Sequence, residues 1–244
     1  MSAAPRAYTP PPDLLRGRTV LITGATGGLG RATALAAASR GAQLVLLGRS
    51  VPKLEALDDE LRACGARGAA LYPMDLAGAG WDDYAALAET LQGEFGALHG
   101  LAHCAAHFKH HAPLSAHDPR DWLETLQVNL NAAFALTAQC LPLLRDAGDA
   151  SVVFCTDSRR ERAFAGAYGV AKAALEGMLQ VWAQELDGVR LNALDPGPMA
   201  TGLRRRGFVA DVDGSAADPA GAAGTLLWLL GRDSAAVRGE IVRR

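Results

Sequence analysis

A surplus of charge of either sign is missing: Lys and Arg number 24 against 26 Asp and Glu, a formal net charge of -2. Without a basic footprint, no nucleic acid and no anionic membrane surface is implied as a partner. Long apolar runs are also missing, and a stretch such as Leu226 to Leu230 is far too short to cross a bilayer. Residues 1–17 lack the basic end and apolar stretch of a secretory signal, so export is not expected and the protein is expected to be cytoplasmic. The four cysteines, Cys64, Cys104, Cys140 and Cys155, have no paired spacing. That pattern predicts small buried apolar groups in a reducing compartment rather than redox or metal chemistry. No internal repeat and no shift of composition marks a second domain.

What is present is 244 residues, 50% of them hydrophobic, enough for one sizeable core. Short β-branched or leucine-rich runs alternate with alanine-rich amphipathic stretches, which predicts βα units around a parallel sheet covered on both faces. Strands are expected at Thr19–Thr23, Gln43–Leu47, Ala69–Met74, Leu98–His103, Ser151–Cys155, Arg190–Leu194 and Glu240–Val242. Helices are expected at Leu29–Arg40, Pro52–Cys64, Trp81–Phe95, Pro119–Arg145, Ala167–Leu186 and Pro219–Leu230. Gly41, Gly65 and Gly96 each follow a proposed helix, where a left-handed residue closes the turn. The reading is therefore an α/β fold: one Rossmann domain over 17–244, a doubly wound parallel sheet of about seven strands, after an extended tail at 1–16 with Pro10, Pro11 and Pro12. The irregular stretch 202–218 is a candidate substrate loop, or else a plain solvated one.

Thr23-Gly24-Ala25-Thr26-Gly27-Gly28-Leu29-Gly30 lies between the first strand and the first helix. Gly24 can make the tight turn, while Gly28 and Gly30 let backbone amides and helix packing approach a pyrophosphate at the positive helix end. Glycines at this spacing alone would be a weak signal; their place between strand and helix makes it strong. Tyr168 and Lys172 stand four apart on a predicted helix, so both side chains can act on one ligand, and the ammonium favours the phenolate. At the end of the second strand, Gly48-Arg49 offers a guanidinium where an NAD-preferring protein offers a carboxylate, which favours NADP over NAD. His103, His107, His110 and His111 run from a strand into a loop with no complementary ligand, so no metal is expected.

The Thr-Gly-x-x-x-Gly-x-Gly turn, with Tyr168 and Lys172, resembles the classical short-chain dehydrogenase/reductase family, and the resemblance runs from about Leu14 to the end. Within it the chain looks most like the bacterial YciK-like oxidoreductases, through Asp13-Leu14-Leu15, Leu46-Leu47-Gly48-Arg49, Ser151-Val152-Val153-Phe154 and Gly166-Ala167-Tyr168 with Ala171-Lys172. The resemblance implies hydride transfer between nicotinamide and a carbonyl or alcohol, with Tyr168 exchanging a proton with the substrate oxygen and Lys172 holding the nicotinamide ribose. It implies that Gly24, Thr26, Gly28, Leu29, Gly30, Arg49, Asp75, Leu76, Pro196, Gly197 and Thr201 bind the cofactor, Asp75 at the adenine and Thr201 at the carboxamide. Asn129 matches the asparagine that supports a proton-relay water; its ordinary alternative is a helix-distorting hydrogen bond. It also implies a homotetramer or homodimer built near Pro119–Arg145 and Ala167–Leu186, where Leu175, Leu179 and Trp182 recur at helical spacing and serve either an intramolecular core or a subunit contact.

Two departures stand out. His103-Cys104-Ala105-Ala106 replaces the usual Asn-Asn-Ala-Gly. The serine that polarises the substrate carbonyl has no single counterpart: counting from the fifth strand reaches Asp157, with Ser158 next to it, and counting back from Tyr168 reaches Cys155. Ser158 is the candidate for the role if the loop 157–165 takes a different path. An NADP-dependent oxidoreductase is the leading expectation; a binding protein that keeps the dinucleotide but has lost turnover is the alternative. A module serving only as an interaction surface has little to support it. Ala163, Phe164, Phe208 and Arg204–Arg206 suggest a partly apolar substrate pocket with an anion-friendly entrance.

Overall fold

Seven strands, β1 (Thr19–Thr23), β2 (Gln43–Gly48), β3 (Ala70–Pro73), β4 (Gly100–His103), β5 (Ala150–Cys155), β6 (Val189–Asp195) and β7 (Ile241–Arg243), run parallel in the order β3-β2-β1-β4-β5-β6-β7. The structure is a computed structural model and describes residues 8–207 and 216–244. Parallel strands need cover on both faces, and successive side chains alternate between them: Leu21, Leu101, Val152 and Phe154 point to one face, Val20, Ile22, Ala102 and Val153 to the other. The first face is closed by α3 (Trp81–Phe95), α5 (Ala132–Asp146) and α6 (Gly166–Glu185), through Leu87, Leu136 and Leu179. The second is closed by α1 (Gly28–Ala38), α2 (Val51–Ala63) and α8 (Pro219–Leu230), through Ala34, Leu57 and Leu226. This is the expected α/β architecture, a doubly wound Rossmann sheet.

Gly41, Gly65 and Gly96 do adopt positive φ beyond their helices, at 84°, 82° and 71°. The expected single helix over Pro119–Arg145 is instead α4 (Pro119–Leu126) and α5, joined by a π-helical turn at Gln127–Asn131. The cause is Asn129: its Nδ2 donates to the Thr125 carbonyl (2.8 Å) and to the His107 carbonyl (2.8 Å), and the widened turn accommodates both. β3 ends earlier than expected, at Pro73, although Met74 N–H still donates to the Gly48 carbonyl (3.1 Å); the proline's nitrogen faces the open edge of the sheet. The described part of the expected extended tail is packed onto the domain: residues 12–17 form turns, Leu15 is fully buried, and the Tyr8 hydroxyl donates to Asp233 (2.7 Å). Of the 202–218 stretch, Gly202–Gly207 forms a short helix, α7, and residues 208–215, Phe208 among them, lie outside the described residues. Among the described residues, no helix is long and apolar enough to cross a membrane.

At the amino ends of the strands, opposite the glycine turn, the buried Arg18 donates to Asp149 Oδ2 (2.8 Å) and to the carbonyls of Asp149, His99 and Leu230. Arg190 completes the knot from the other side, at 3.0 Å from Asp149 Oδ1.

Candidate active site

A cleft of about 700 Å³ opens at the carboxyl ends of the strands, where β1 and β4 lead their chains to opposite sides. Its middle is the glycine turn. Gly24 holds φ +60°, and a methyl group there would come within 2.6 Å of Ala105 Cα. A methyl on Gly28 would meet Thr201 Cγ2 at 2.5 Å, and one on Gly30 would collide with the Gly24 carbonyl. Gly27 N–H donates to that carbonyl (2.9 Å), which closes the turn and sets the start of α1 facing the cleft. Bare backbone at a helix amino end is the surface a pyrophosphate needs.

Thr26, Leu29, Arg49, Asp75, Leu76, Pro196, Gly197 and Thr201 all line the same cleft with Gly24 and Gly28. Gly30 does not line it; it supports the turn from beneath. Arg49 is exposed at one end and has no hydrogen-bond or salt-bridge partner among the described residues, and Lys53 stands in the same wall. Asp75 lies exposed at the rim and accepts from Ala77 N–H (3.2 Å), so it also caps its own turn. Gly197 turns at φ +69°, with its N–H donating to Asp195 (3.0 Å), while Thr201 Oγ1 accepts from Arg204 N–H (3.2 Å) at the start of α7.

At the other end, α6 presents Tyr168 and Lys172. Lys172 is buried, donates to the Cys155 carbonyl (2.6 Å) and holds its ammonium 5.6 Å from the centre of the Tyr168 ring. Burial lowers the Lys172 pKa from its ordinary value. Tyr168 stands in a wall of rings: Phe108 meets it edge-on at 5.4 Å, and His111 meets Phe108 at 5.0 Å.

The position beside the tyrosine hydroxyl belongs to Asp157. Tyr168 Oη donates to Asp157 Oδ2 (3.2 Å), and Arg159 clamps that carboxylate with two bonds, Nε to Oδ1 (2.9 Å) and Nη2 to Oδ2 (2.7 Å). Burial pushes the Asp157 pKa up, but the Arg159 hydrogen bonds outweigh it and hold the carboxyl below its usual range. Burial and the adjacent carboxylate push the Tyr168 phenol well above its usual value. Ser158 is not brought to the tyrosine: it is exposed, off the cleft wall, and contributes only a backbone N–H to Asp195 (3.0 Å). The reason is the one-turn helix at Ser158–Glu161, which Asp157 caps through Arg159 N–H (2.9 Å), turning the next side chain outward. Cys155 lies one level lower, at the end of β5.

Asn129 is buried and fully committed: besides its two donated bonds, its Oδ1 accepts from His107 N–H (3.1 Å). It therefore pins the chain after β4 to the π-helical turn. A small hollow of about 10 Å³ lies between Asn129, Lys172, Thr23 and His103, about the room one water centre occupies. His103 is buried outside the cleft, shares a hydrogen bond with Thr137 Oγ1 (2.8 Å) and stacks on Phe154 at 5.0 Å. Desolvation, reinforced by Lys172, lowers its pKa to about 3, so its ring is neutral. Among the described residues no group of three or more ligating side chains could hold a metal ion. Sequence reasoning missed Arg159 and Phe108, and weighed His111 only as a metal ligand; the two-residue spacing of Asp157 and Arg159 was the one available hint. Phe164, expected in the pocket, stands outside it at φ +67°, its carbonyl accepting from Ala112 N–H (3.1 Å), while Ala163 does line the cleft.

Comparison with known proteins agrees with this geometry. The family model for the short chain dehydrogenases matches residues 18–209. The uncharacterized oxidoreductase YciK of Escherichia coli (strain K12) is 36% identical over 230 residues, covering 93% of this chain and 91% of that protein. A short chain dehydrogenase from Shigella flexneri 2a, solved in complex with NADP, superposes with a TM-score of 0.92 at 34% identity, over 96% of this chain and 99% of its own. Another, from Escherichia coli CFT073 in complex with NADPH, gives 0.92 at 35% identity over the same shares. With the glycine turn, the Tyr168–Lys172 pair and the sheet order already in place, these matches make the chain a member of the short-chain dehydrogenase/reductase family of oxidoreductases, of the YciK-like kind.

Proposed function

We propose that this chain is an NADP-dependent oxidoreductase acting on a carbonyl or alcohol. The observation that carries the reading is one continuous cleft with an Arg49 guanidinium, unpaired among the described residues, at one end, bare glycine backbone in the middle and the Tyr168–Lys172 pair at the other. The two relatives solved with NADP or NADPH support the same cofactor here. Gly24, Thr26, Gly28 and Leu29 would hold the pyrophosphate, with Gly30 supporting their turn, while Arg49 takes the 2'-phosphate by charge-assisted hydrogen bonds. Asp75 and Leu76 flank the adenine end, and Pro196, Gly197 and Thr201 the nicotinamide end. When bound, the nicotinamide supplies or accepts the hydride.

The chain's own part is the proton and the orientation. Lys172, tethered to the Cys155 carbonyl, brings positive charge under the Tyr168 ring. The Asp157 carboxylate keeps the phenol protonated at neutral pH, which is the form that gives a proton to a carbonyl being reduced. This is the protonation state that serves the reductive direction. Phe108 and His111 wall off the tyrosine, and Asn129 positions this wall by holding His107; the hollow beside it suits a relay water. The partner is a small molecule, and the chain works in the cytoplasm as a homotetramer or homodimer.

A second reading has a specific observation behind it: Tyr168 spends its proton on Asp157, so the site could bind the dinucleotide without turnover. Calorimetric titration and stopped-flow hydride transfer with a panel of aldehydes and ketones separate the two. NADPH is expected to bind roughly 10- to 100-fold tighter than NADH, with Arg49→Asp erasing the difference. Tyr168→Phe is expected to lower turnover by about 10²- to 10⁴-fold. Tight NADPH binding with no oxidation by any carbonyl compound would leave the second reading standing, and equal affinity for the two cofactors would remove the assignment of Arg49.

A further inference from the structure

β4 and β5 run side by side at a constant offset, with Gly100 opposite Ser151, Leu101 opposite Val152, Ala102 opposite Val153 and His103 opposite Phe154. One residue further the same offset sets Cys104 opposite Cys155, and there the two sulfurs lie 3.9 Å apart with the Cys155 thiol donating to Cys104. Both residues line the cleft and both belong to the α1–α8 side of the sheet. Cys140 is buried on the opposite face and Cys64 is exposed at the end of α2, so neither joins this pair.

We propose that Cys104 and Cys155 form a cross-strand dithiol in the floor of the cleft, a modification site that hydrogen peroxide converts to an intramolecular disulfide. Neighbouring strands are about 4.8 Å apart, which falls within the ~4.4–6.8 Å between Cα atoms that a disulfide spans. The sulfurs have less than about 2 Å to close. Once one proton leaves the pair, the Cys104 thiol turns to donate to the Cys155 thiolate, which lowers the Cys155 pKa and raises that of Cys104, while the Lys172 ammonium favours thiolate at both. Cys155 is thus the nucleophile and Cys104 the resolving thiol. The Cys155 thiolate attacks one peroxide oxygen, the O–O bond breaks, and with one proton taken up a water leaves, giving a sulfenic acid. Cys104 then gives up its proton and attacks that sulfur; the S–O bond breaks and the second water leaves. Two thiols lose two electrons in all, and one peroxide becomes two waters. A cytosolic disulfide of this kind is expected to be transient rather than structural.

The site does not depend on the hydride-transfer reading, but the bridge has a consequence for the cleft. Cys104 and Ala105 press on the glycine turn, since a methyl on Gly24 would lie 2.6 Å from Ala105 Cα and 3.1 Å from the Cys104 carbonyl carbon. Ala105 N–H is also tied to Thr23 Oγ1 (3.2 Å). Drawing Cys104 towards β5 moves this wall.

The test uses full-length Cys64→Ser protein, which lacks the exposed thiol, treated with a few equivalents of hydrogen peroxide and then alkylated. We expect two of the three remaining cysteines to become unreactive, and the intact chain to be lighter by two hydrogens before alkylation. Trypsin cuts at Lys109, Arg120 and Arg145 between the pair, so a disulfide-linked peptide joining Cys104 to Cys155 is expected, and dithiothreitol should restore both thiols. Cys104→Ser or Cys155→Ser in the same background should abolish the linked peptide while circular dichroism shows the fold intact. Three fully alkylated cysteines after peroxide, sulfinic acid at one of the pair without a bridge, or a bridge to Cys140 would each overturn the proposal. If wild-type protein carries the bridge but its NADPH affinity is unchanged on oxidation, the proposed effect on the cleft is wrong while the site stands.

Discussion

Asp157 governs how Tyr168 behaves, because a carboxylate 3.2 Å from the phenol opposes its ionisation. The sign follows: replacing Asp157 with an uncharged residue lowers the Tyr168 pKa, because the carboxylate's raising effect is lost while the lowering effect of the Arg159 guanidinium is no longer opposed by it. Asp157→Ser is therefore expected to shift the alkaline limb of the pH–kcat/KM profile to lower pH and to raise reductase turnover, since a donor at the oxyanion position contributes about 10²- to 10³-fold. Arg159→Ala should depress activity alone, because the phenol loses a positive charge that lowers its pKa, and on top of Asp157→Ser it should move the alkaline limb back towards higher pH. Unchanged profiles in all three variants, measured by steady-state kinetics across pH 6 to 10, would show that Asp157 does not act on the tyrosine. The sequence left Asp157, Ser158 and Cys155 open for this place. Residue spacing carries no information about which way a short loop turns, and here the direction is set by a cap and a two-bonded arginine that appear only in three dimensions.

At the scale of elements, more was legible. Every strand expected from periodicity is present, and every helix but the one over Pro119–Arg145, which is divided in two, because the buried runs and the glycine stops are strong local signals. The π-helical turn was only half legible: the helix-distorting hydrogen bond weighed for Asn129 is its bond to the Thr125 carbonyl, but its bond to His107 spans 22 residues. Nor could helical spacing separate core from interface: Leu175 and Leu179 belong to the core, whereas Phe134, Val170 and Val181 are exposed on α5 and α6. The rings of Trp81, Phe134 and Trp182 follow one another at 6.1 and 5.6 Å across α3, α5 and α6, with Phe134 45% exposed. An apolar ridge of this kind suits a two-fold contact between copies. Phe134→Lys is expected to reduce the assembly by at least one step, from tetramer to dimer or from dimer to monomer, in light scattering. A wild-type monomer at micromolar concentration would refute the assembly.

The whole molecule should lose stability in mild acid, and His103 shows why. Its folded pKa of about 3 lies below the ordinary 6.5, so the unfolded chain binds a proton that the fold refuses. Stability is then complete above pH 6.5 and falls by about 1.4 kcal/mol per pH unit below it, until the folded pKa is reached. His99, lowered by burial and by Arg18, adds to the same trend. Between pH 7 and pH 5 the His103 share is roughly 2 kcal/mol. His103→Asn should flatten this part of the curve in urea titrations at the two pH values; an equal slope in both proteins would contradict the assignment.

Asp195 links two loops that the sequence separates by nearly forty residues. Buried at the end of β6, it accepts from Ser158 N–H after β5 and from Gly197 N–H just beyond its own strand, each at 3.0 Å. One carboxylate thus holds both lips of the cleft, and their separation is inherited from the spacing of two adjacent strands rather than from either loop. For anyone recombining this scaffold with a relative, the interchangeable cassette is the pair: a loop transplanted alone would arrive without its anchor.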